Sequence, residues 1–352
     1  MAGLKIALIN GIRPMPGSGD GITEYAYNMY LQLRRKNRVD LVYAIKRARK
    51  NDVLGLVKVN SVLASRARAA AKEGYDVFHI VNQEVGFAAR QIKAANPHSR
   101  VITTVHDLSR FNEGLHSGAL QKAYNRIVMG SVKDAVKSSD FLIFDSEQTM
   151  AEVRRRFGGV RGRAIGIGID SRFSAPIRKR AGRFVVGYLG SFAHHKNVMM
   201  LIEAADVLKT QDIEFQVYGI GNDYWRVSRY IDSHGLDNVR LMGFADERKK
   251  VGIYDGFNVF VFPSLYEGFG LPILEAQARG LPVVIYKHGK ISAEVRRHCI
   301  GAGSSKQLSE VILKLKKRGY DASKRAAAIS YARSFTWEKC AKETLSAYID
   351  SA

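Results

Sequence analysis

Two glutamates, Glu267 and Glu275, flank a glycine-rich turn and are separated by seven residues. Gly268 and Gly270 lie between them, and Pro272 suits the first position of a helix because its missing N–H would be unpaired there. Glycines let a backbone approach a ligand closely, and a helix start offers free N–H donors and a partial positive charge. The segment therefore predicts a diphosphate site.

The two carboxylates need a partner other than the phosphates, because like charges repel. The hydroxyl groups of a sugar are the obvious candidates for Glu267 and Glu275. The structural alternative is a helix capped by acidic residues after a glycine turn. The complete pattern favours the ligand site.

A lysine follows a second strand at a similar turn. Gly190 and Ser191 end an apolar run, and Lys196 comes five residues after Ser191. A cation at such a turn can neutralise charge on a departing diphosphate. The alternative interpretation is an ordinary surface lysine.

The N-terminal half offers two weaker candidates. Gly19, Asp20 and Gly21 belong to a glycine-rich loop between the first strand and the first helix, although the loop lacks a G-x-G-x-x-G fingerprint. His106 follows another apolar strand and precedes Asp107. Taken alone, a histidine at a strand end is more often a polar residue satisfied by its neighbours.

These residues lie among short apolar runs that alternate with helical patterns, which predicts parallel sheets covered by helices on both faces. The predicted strands are residues 5–10, 39–45, 76–81, 101–106, 141–145, 164–167, 184–189, 214–218, 239–242, 259–262 and 283–286. Helical patterns between them include residues 22–33, 120–136, 198–208 and 323–334. A further helix is predicted to begin at about Pro272, and residues 337–349 are predicted to form an amphipathic helix beyond the second sheet. The fold class is α/β, with two doubly wound parallel-sheet domains that bind ligands at the carboxyl ends of their strands.

Composition limits the classes of partner. The chain has 352 residues and a formal net charge of +22, which predicts an anionic partner or a solvated basic surface. Its two cysteines, Cys299 and Cys340, have no metal-ligand spacing, and a reducing cytosol fits them best. No apolar run approaches the roughly 18–20 residues of a spanning helix.

The segment from Glu267 to Glu275 resembles the E-x7-E motif of family 4 glycosyltransferases, which retain anomeric configuration and have the GT-B fold: two Rossmann-like domains facing a cleft. The resemblance implies that Glu267 contacts hydroxyls of the transferred sugar and that Glu275 binds the nucleotide ribose. The family motif also implies that backbone groups around the turn hold the diphosphate; these are Gly268, Phe269, Gly270 and Leu271.

Other segments resemble the family in the same order. Gly190, Ser191 and Lys196 are similar to its glycine turn and phosphate-binding lysine, but many members carry an arginine where Ser191 or His195 stands. Gly219 and Phe244 resemble turns that border the nucleobase. In the N-terminal half the resemblance implies that the glycine loop faces the donor phosphates and that the histidine at the strand end reaches the donor sugar.

The resemblance implies a chemistry and a division of labour. A hexose of mannose or glucose type would pass from a UDP- or GDP-linked donor to a saccharide or lipid-linked acceptor by front-face displacement, with no metal or other cofactor required. Residues 1–175 would form the acceptor domain and 176–335 the donor domain, with 336–352 a helix returning to the first domain. The catalytic candidates are Glu267, Lys196 and His106.

Residues 45–72 are rich in cations: Lys46, Arg47, Arg49, Lys50, Lys58, Arg66, Arg68 and Lys72, against the single acid Asp52. Apolar residues such as Val57, Val62 and Leu63 are interleaved with them, which predicts a basic amphipathic surface that docks on anionic lipid. A cytoplasmic protein, peripheral on the inner face of the cell membrane, is the corresponding hypothesis for localisation.

Three alternatives stay open. An epimerase or phosphorylase of the same fold would turn over without an acceptor or would require inorganic phosphate. A nucleic-acid-binding protein would suit the positive charge, although no nucleic-acid module accompanies it. A non-catalytic relative would serve as a binding partner, but the retained Glu267, Glu275 and Lys196 argue against it.

Overall fold

The computed structural model describes residues 3–15, 21–45, 53–108, 119–177 and 182–351, with the side chains of residues 53–56 and 119–121 left aside. The chain divides into two compact units. The first comprises Met1–Gly168 and Trp337–Ala352, and the second comprises Ile169–Thr336. In the part of the chain described, no helix combines the length and apolar character needed to cross a membrane.

The first unit is built on a six-stranded parallel sheet. Its strands are β1 (Lys5–Ile12), β2 (Arg38–Ile45), β3 (Val77–Ile80), β4 (Val101–Val105), β5 (Phe141–Phe144) and β6 (Gly162–Ala164), in the order β2-β1-β3-β4-β5-β6. The connecting helices are α1 (Gly21–Leu33), α2 (Val53–Ala70), α3 (Phe87–Ala95), α4 (Ala119–Ser138) and α5 (Glu147–Phe157). Strands β3, β4 and β5 are buried at every residue, as a sheet covered on both faces requires.

The second unit repeats this plan with the strand order β12-β11-β10-β7-β8-β9. Its strands are β7 (Phe184–Leu189), β8 (Ile213–Tyr218), β9 (Val239–Gly243), β10 (Val259–Phe262), β11 (Val283–Tyr286) and β12 (Ile300–Ala302). Its helices are α6 (Val198–Val207), α7 (Tyr224–His234), α8 (Lys250–Asp255), α9 (Leu271–Ala278), α10 (Ala293–Arg296), α11 (Ser305–Arg318) and α12 (Ala322–Arg333), and α13 (Trp337–Asp350) follows. The chain winds outward in both directions from the neighbours β7 and β10.

The predicted fold class of two doubly wound α/β sheets is confirmed, and the errors lie at the edges. The strand predicted at residues 164–167 was wrong in position, because the edge strand β6 ends at Ala164. The apolar residues Ile165 and Ile167 are buried in the segment that follows the strand. The edge strand β12 was missed because only three residues pair, one of them glycine. Helix α2 forms in a stretch for which the sequence predicted only a basic amphipathic surface.

A chain of buried hydrogen bonds attaches α13 to the first unit. The Tyr348 hydroxyl lies 2.7 Å from His79 Nδ1, and His79 Nε2 lies 2.8 Å from Thr104 Oγ1. The same Thr104 oxygen lies 3.2 Å from the Tyr25 hydroxyl of α1. Burial lowers the pKa of His79 to about 3, so its neutral ring relays hydrogen bonds between β3, β4 and the two helices.

Arg279 is a fully buried charged residue of the second unit, so its guanidinium needs several hydrogen-bond partners inside the protein. Its side chain is fully buried directly after α9, and its Nε and Nη2 each donate to one oxygen of Asp255 at 2.8 Å. Its two terminal nitrogens also donate to the carbonyls of Phe173, Ala175 and Pro176. One guanidinium thus holds the segment that precedes β7 against the end of α9.

We expect Arg279→Met to lower the free energy of unfolding by about 3–5 kcal/mol, because Asp255 would remain as a buried charge without its cation. Urea unfolding followed by far-UV circular dichroism measures the change.

The matched control is Arg248→Met. Arg248 also pairs with a carboxylate, that of Asp246, through Nε and Nη2, but its side chain is 85% exposed, so we expect little measurable change. Equal losses in the two variants would contradict the role given to Arg279.

Candidate active site

The carboxyl ends of β7 and β10 bring the two strongest candidates together. These strands are parallel neighbours, so the loops that follow them leave the same edge of the sheet. Lys196 from the first loop places its Nζ 2.7 Å from Oε1 and 2.9 Å from Oε2 of Glu267 in the second loop. The two side chains are only 17% and 10% exposed, so the pair is largely shielded from water.

Backbone contacts fix the spacing of these two loops. The N–H of Leu265 donates to the carbonyl of His195 at 2.7 Å, and the Asn197 side-chain amide donates to the carbonyl of Pro263. Asn197 has a left-handed φ of 52°, unlike every other non-glycine residue in the described ranges. Asparagine tolerates this conformation better than most residues, and here it begins α6 directly after Lys196.

The turn between the two glutamates ends in the start of α9. Gly270 has φ 104° at the residue before the helix, a conformation that a side chain would strain, and Pro272 occupies the first turn. Phe269 is buried and its ring packs against the ring of Phe335, and this contact fixes the position of the turn. The start of a helix offers N–H donors and a partial positive charge; here Pro272 has no N–H, and the N–H of Ile273 donates to the carbonyl of Gly270 at 3.0 Å.

Glu275 is held inside the second unit. It is 8% exposed, and one of its oxygens accepts a hydrogen bond from the Tyr254 hydroxyl at 2.8 Å. Its other oxygen lies 3.7 Å from Lys250 Nζ, which also pairs with Glu247 at 2.6 Å. Burial, followed by the charge of Glu275, raises the pKa of Tyr254 well above its usual range, so this hydroxyl remains a donor.

Glycines join the ends of β7, β8 and β9. The N–H of Gly190 donates to the carbonyl of Tyr218, and the N–H of Gly219 donates to the carbonyl of Gly243. Gly219 has φ 151°, and a Cβ there would come within 1.9 Å of the Gly190 carbonyl oxygen, so only glycine fits. Phe244, the next residue after β9, is 64% exposed. The structure thus groups Gly190, Gly219 and Phe244 at the same edge as the Lys196 loop.

His106 lies in the first unit and has both ring nitrogens occupied. Nδ1 lies 2.6 Å from an oxygen of Asp145, and Nε2 lies 2.8 Å from the Val81 carbonyl. Burial alone lowers the pKa of His106, but Asp145 and the Val81 carbonyl outweigh burial and raise it to about 9. The ring therefore acts as a cation that ties together the ends of β3, β4 and β5.

Some predicted site residues and supports fall elsewhere. Gly19 and Asp20 lie outside the described residues, and Gly21 is the first residue of α1. Tyr254 and Lys250 contact Glu275, but neither contact was predicted from the sequence, because no motif marks these two residues. Within the described ranges, no group of three or more His, Cys, Asp or Glu side chains could hold a metal ion.

The raised pKa of His106 predicts a pH-dependent stability. An unfolded histidine titrates near pH 6.5, so the stabilisation is fully present below that pH and is lost as pH rises through about 9. The difference corresponds to at most about 3 kcal/mol. The urea concentration at the unfolding midpoint should therefore decrease from pH 6.5 to pH 8 and again from pH 8 to pH 9.5.

The variant His106→Gln should be less stable at pH 6.5 and should show a flatter pH dependence than the unmodified protein. The exposed His98→Gln serves as the control and should leave the dependence unchanged. Identical pH profiles for the unmodified protein and His106→Gln would rule out the charged ring.

Two protein families match successive parts of the chain. Residues 19–173 match Glycosyltransferase Family 4, and residues 170–335 match Glycosyl transferases group 1. The O-antigen chain mannosyltransferase B of Escherichia coli is 24% identical over 274 residues, 72% of this chain and 71% of its own length. The D-inositol 3-phosphate glycosyltransferase of Kribbella flavida is 26% identical over 318 residues, 80% of this chain and 73% of its own length.

Solved structures agree on the fold. A sucrose-phosphate synthase from Thermosynechococcus elongatus superposes with a TM-score of 0.79 at 19% identity, covering 98% of both chains. The Anabaena protein Alr3699/HepE, solved with UDP and glucose, gives 0.69 at 18% identity, covering 97% of this chain and 99% of its own. Both parts of the chain match glycosyltransferase families in order and both sheets are in place, so the protein is a glycosyltransferase that resembles the group 1 family and has the GT-B fold.

Proposed function

We propose that this glycosyltransferase retains anomeric configuration and moves a hexose of mannose or glucose type from a UDP- or GDP-linked donor to a saccharide or lipid-linked acceptor. The observation that carries the proposal is the shielded ion pair of Lys196 and Glu267 beside the start of α9. A cation, a carboxylate and backbone N–H donors at one sheet edge match the three chemical needs of a sugar diphosphate.

Lys196 would bind the donor without leaving Glu267. An ammonium group has three N–H donors, and the two short contacts to Glu267 use two of them. The third would donate to a phosphate oxygen, while the N–H groups at the start of α9 would receive the rest of the diphosphate. Charge that develops on the leaving nucleotide would thus be stabilised without a metal ion.

Glu267 would orient the sugar and would not attack it. Its carboxylate is already engaged by an ammonium group at 2.7 Å, which lowers its nucleophilicity, and a carboxylate, as a pure acceptor, suits the hydroxyl donors of a sugar. In a front-face displacement a leaving phosphate oxygen would take the proton of the acceptor hydroxyl. Glu275, fixed by Tyr254, would bind the ribose of the donor.

The nucleobase would lie against the turns that contain Gly190, Gly219 and Phe244, where close backbone approach favours reading by main-chain groups. His106 would contact the donor sugar only by exchanging the Val81 carbonyl for a sugar oxygen at Nε2. The glycine loop of Gly19, Asp20 and Gly21 remains our prediction for the donor-facing part of the N-terminal unit, and residues 1–175 remain our prediction for the acceptor domain.

The names of relatives support a hexose donor. The matched proteins include an O-antigen chain mannosyltransferase and an α-(1→4)-mannosyltransferase, and the superposed Anabaena protein was solved with UDP and glucose. These names favour a mannose or glucose donor, and UDP is the nucleotide bound by the Anabaena protein, so the choice between UDP and GDP is left to experiment.

We expect one nucleotide diphosphate to raise the melting temperature selectively in a panel of UDP, GDP, ADP and their sugar conjugates, recorded with a chelator present. A ligand at a hundred times its dissociation constant stabilises the folded state by about 2.7 kcal/mol. A response that appears only when a divalent metal is added would contradict the metal-free proposal.

Glu275→Gln should weaken the selected nucleotide at least tenfold, because it removes the charge that accepts the ribose hydroxyls. The control Glu203→Gln makes the same chemical change on the exposed face of α6 and should leave nucleotide affinity unchanged. Unaltered affinity in Glu275→Gln would remove the central assignment.

We also propose that the outer face of α2, together with the turn that follows it, binds anionic lipid mainly through its cations. Leu63 is buried in the core of the first unit and Val62 packs against that core, so these two are not available to a membrane, whereas Val57 is 49% exposed. Lys58, Arg66, Arg68 and Lys72 are exposed, whereas Lys46, Arg47, Arg49 and Lys50 lie outside the described residues. Each cation near an anionic surface contributes about 1 kcal/mol.

Vesicles that contain phosphatidylglycerol should therefore sediment with the protein at low salt, and Lys58→Glu with Lys72→Glu should reduce the bound fraction several-fold. The control for net charge is Arg34→Glu with Arg35→Glu, which changes two exposed residues that directly follow α1 and lie outside α2. Equal retention by anionic and neutral vesicles would end this proposal.

A further inference from the structure

A cavity of about 540 Å³ lies in the second unit, and its lining includes none of the residues assigned to the donor. One wall is a single face of α11, where Val311, Lys314, Leu315 and Arg318 recur at helical spacing. The other walls are the chain from Arg297 to Ile300 and the turn from Gly319 to Lys324. Its volume is within the range of small-molecule sites, roughly 300–1,000 Å³.

The rim of this cavity carries an excess of positive charge. Arg297, Lys314, Arg318 and Lys324 all line it, and the one carboxylate among the lining residues is Asp321. In the described ranges, none of these four cations forms an ion pair with a carboxylate. Four cations from three segments, so close together, repel one another unless an anion lies between them.

The carboxylate of Asp321 is already committed to local structure. Its Oδ1 accepts hydrogen bonds from the Ser323 hydroxyl at 2.6 Å and from the Lys324 backbone N–H at 2.9 Å, which caps α12. These hydrogen bonds satisfy Asp321 where it stands, and its single charge leaves the excess of cations in place. The cavity therefore retains a net positive rim.

The floor of the cavity is apolar. Ile300, Val311 and Leu315 line it together with Cys299 and the ring of Tyr320. An inorganic anion would use only the rim, whereas a molecule that joins a phosphate to an organic body would contact both the cations and the apolar surface. The lining therefore selects an organic phosphate over a bare ion.

We propose that this cavity is a second ligand site, separate from the donor site, that binds a phosphomonoester. The phosphate would lie among Lys314, Arg318 and Lys324, and the organic body would lie on the apolar floor. Two sources carry this chemistry: a free organic phosphate and the phosphomonoester headgroup of phosphatidic acid.

Isothermal titration with glycerol 3-phosphate tests the site, because this probe has the chemistry of both sources. Lys314→Glu with Arg318→Glu should weaken binding at least tenfold. Both residues are exposed, so the variant is expected to fold. The control Lys306→Glu with Lys317→Glu makes the same change in net charge on the same helix but outside the cavity, and should bind the probe as the unmodified protein does.

Cys299 gives a local measurement, because it lines the cavity while Cys340 is buried. Glycerol 3-phosphate should slow modification of Cys299 by a small thiosulfonate reagent, detected by peptide mass, and the protection should persist in Glu275→Gln. Equal affinity in the two charge-reversal pairs, or protection that disappears with Glu275→Gln, would overturn the proposal.

Vesicles distinguish the two sources. Both charge-reversal pairs are placed in the Lys58→Glu with Lys72→Glu background, which removes most binding through α2. If phosphatidic acid vesicles then retain the control pair but not Lys314→Glu with Arg318→Glu, the ligand is a lipid headgroup. If glycerol 3-phosphate separates the two pairs and the vesicles do not, it is a free phosphate. If neither probe separates them, the site does not exist.

Discussion

The ion pair of Lys196 and Glu267 depends on a reversal in the winding of the second sheet. From β7 the chain continues to β8 and β9, and it then returns to place β10 on the other side of β7. The loops after β7 and β10 therefore start side by side at the same edge of the sheet, which brings Lys196 of one loop against Glu267 of the other. A change of strand order would separate the two residues without altering either one.

Buried charges in both units are held by several fixed neighbours, although one oxygen of Asp145, Oδ1, is buried without a hydrogen bond among the described residues. In the first unit, His106 holds the ends of β3 and β5 through Val81 and Asp145. In the second, Arg279 joins Asp255 to three carbonyls of the segment before β7. Removing an ion from water costs free energy, so a buried ion is expected only where several partners in a fixed geometry offset that cost. Such groups fix strand ends and connections more narrowly than apolar packing does.

The sequence predicted the longer strands well, including the edge strands β2 and β9, and it predicted the two three-residue edge strands poorly. Strands such as β4 and β10 are apolar at nearly every residue because both faces are covered, so they stand out in the chain. Edge strands β6 and β12 pair over three residues, which is too short for a pattern. The sequence identified Glu267, Glu275 and Lys196 by residue type and spacing. It did not predict the Tyr254 contact, because that depends on how α8 packs against α9.

The attachment of α13 has a consequence for synthesis on the ribosome. The second unit is one continuous segment, Ile169–Thr336, whereas the first unit needs Trp337–Asp350, which are translated after it. Until those residues emerge, His79 lacks Tyr348, and part of the surface beside α1 stays open to water. The half that is made first is therefore finished last, and a nascent chain would hold a completed second unit beside an incomplete first one.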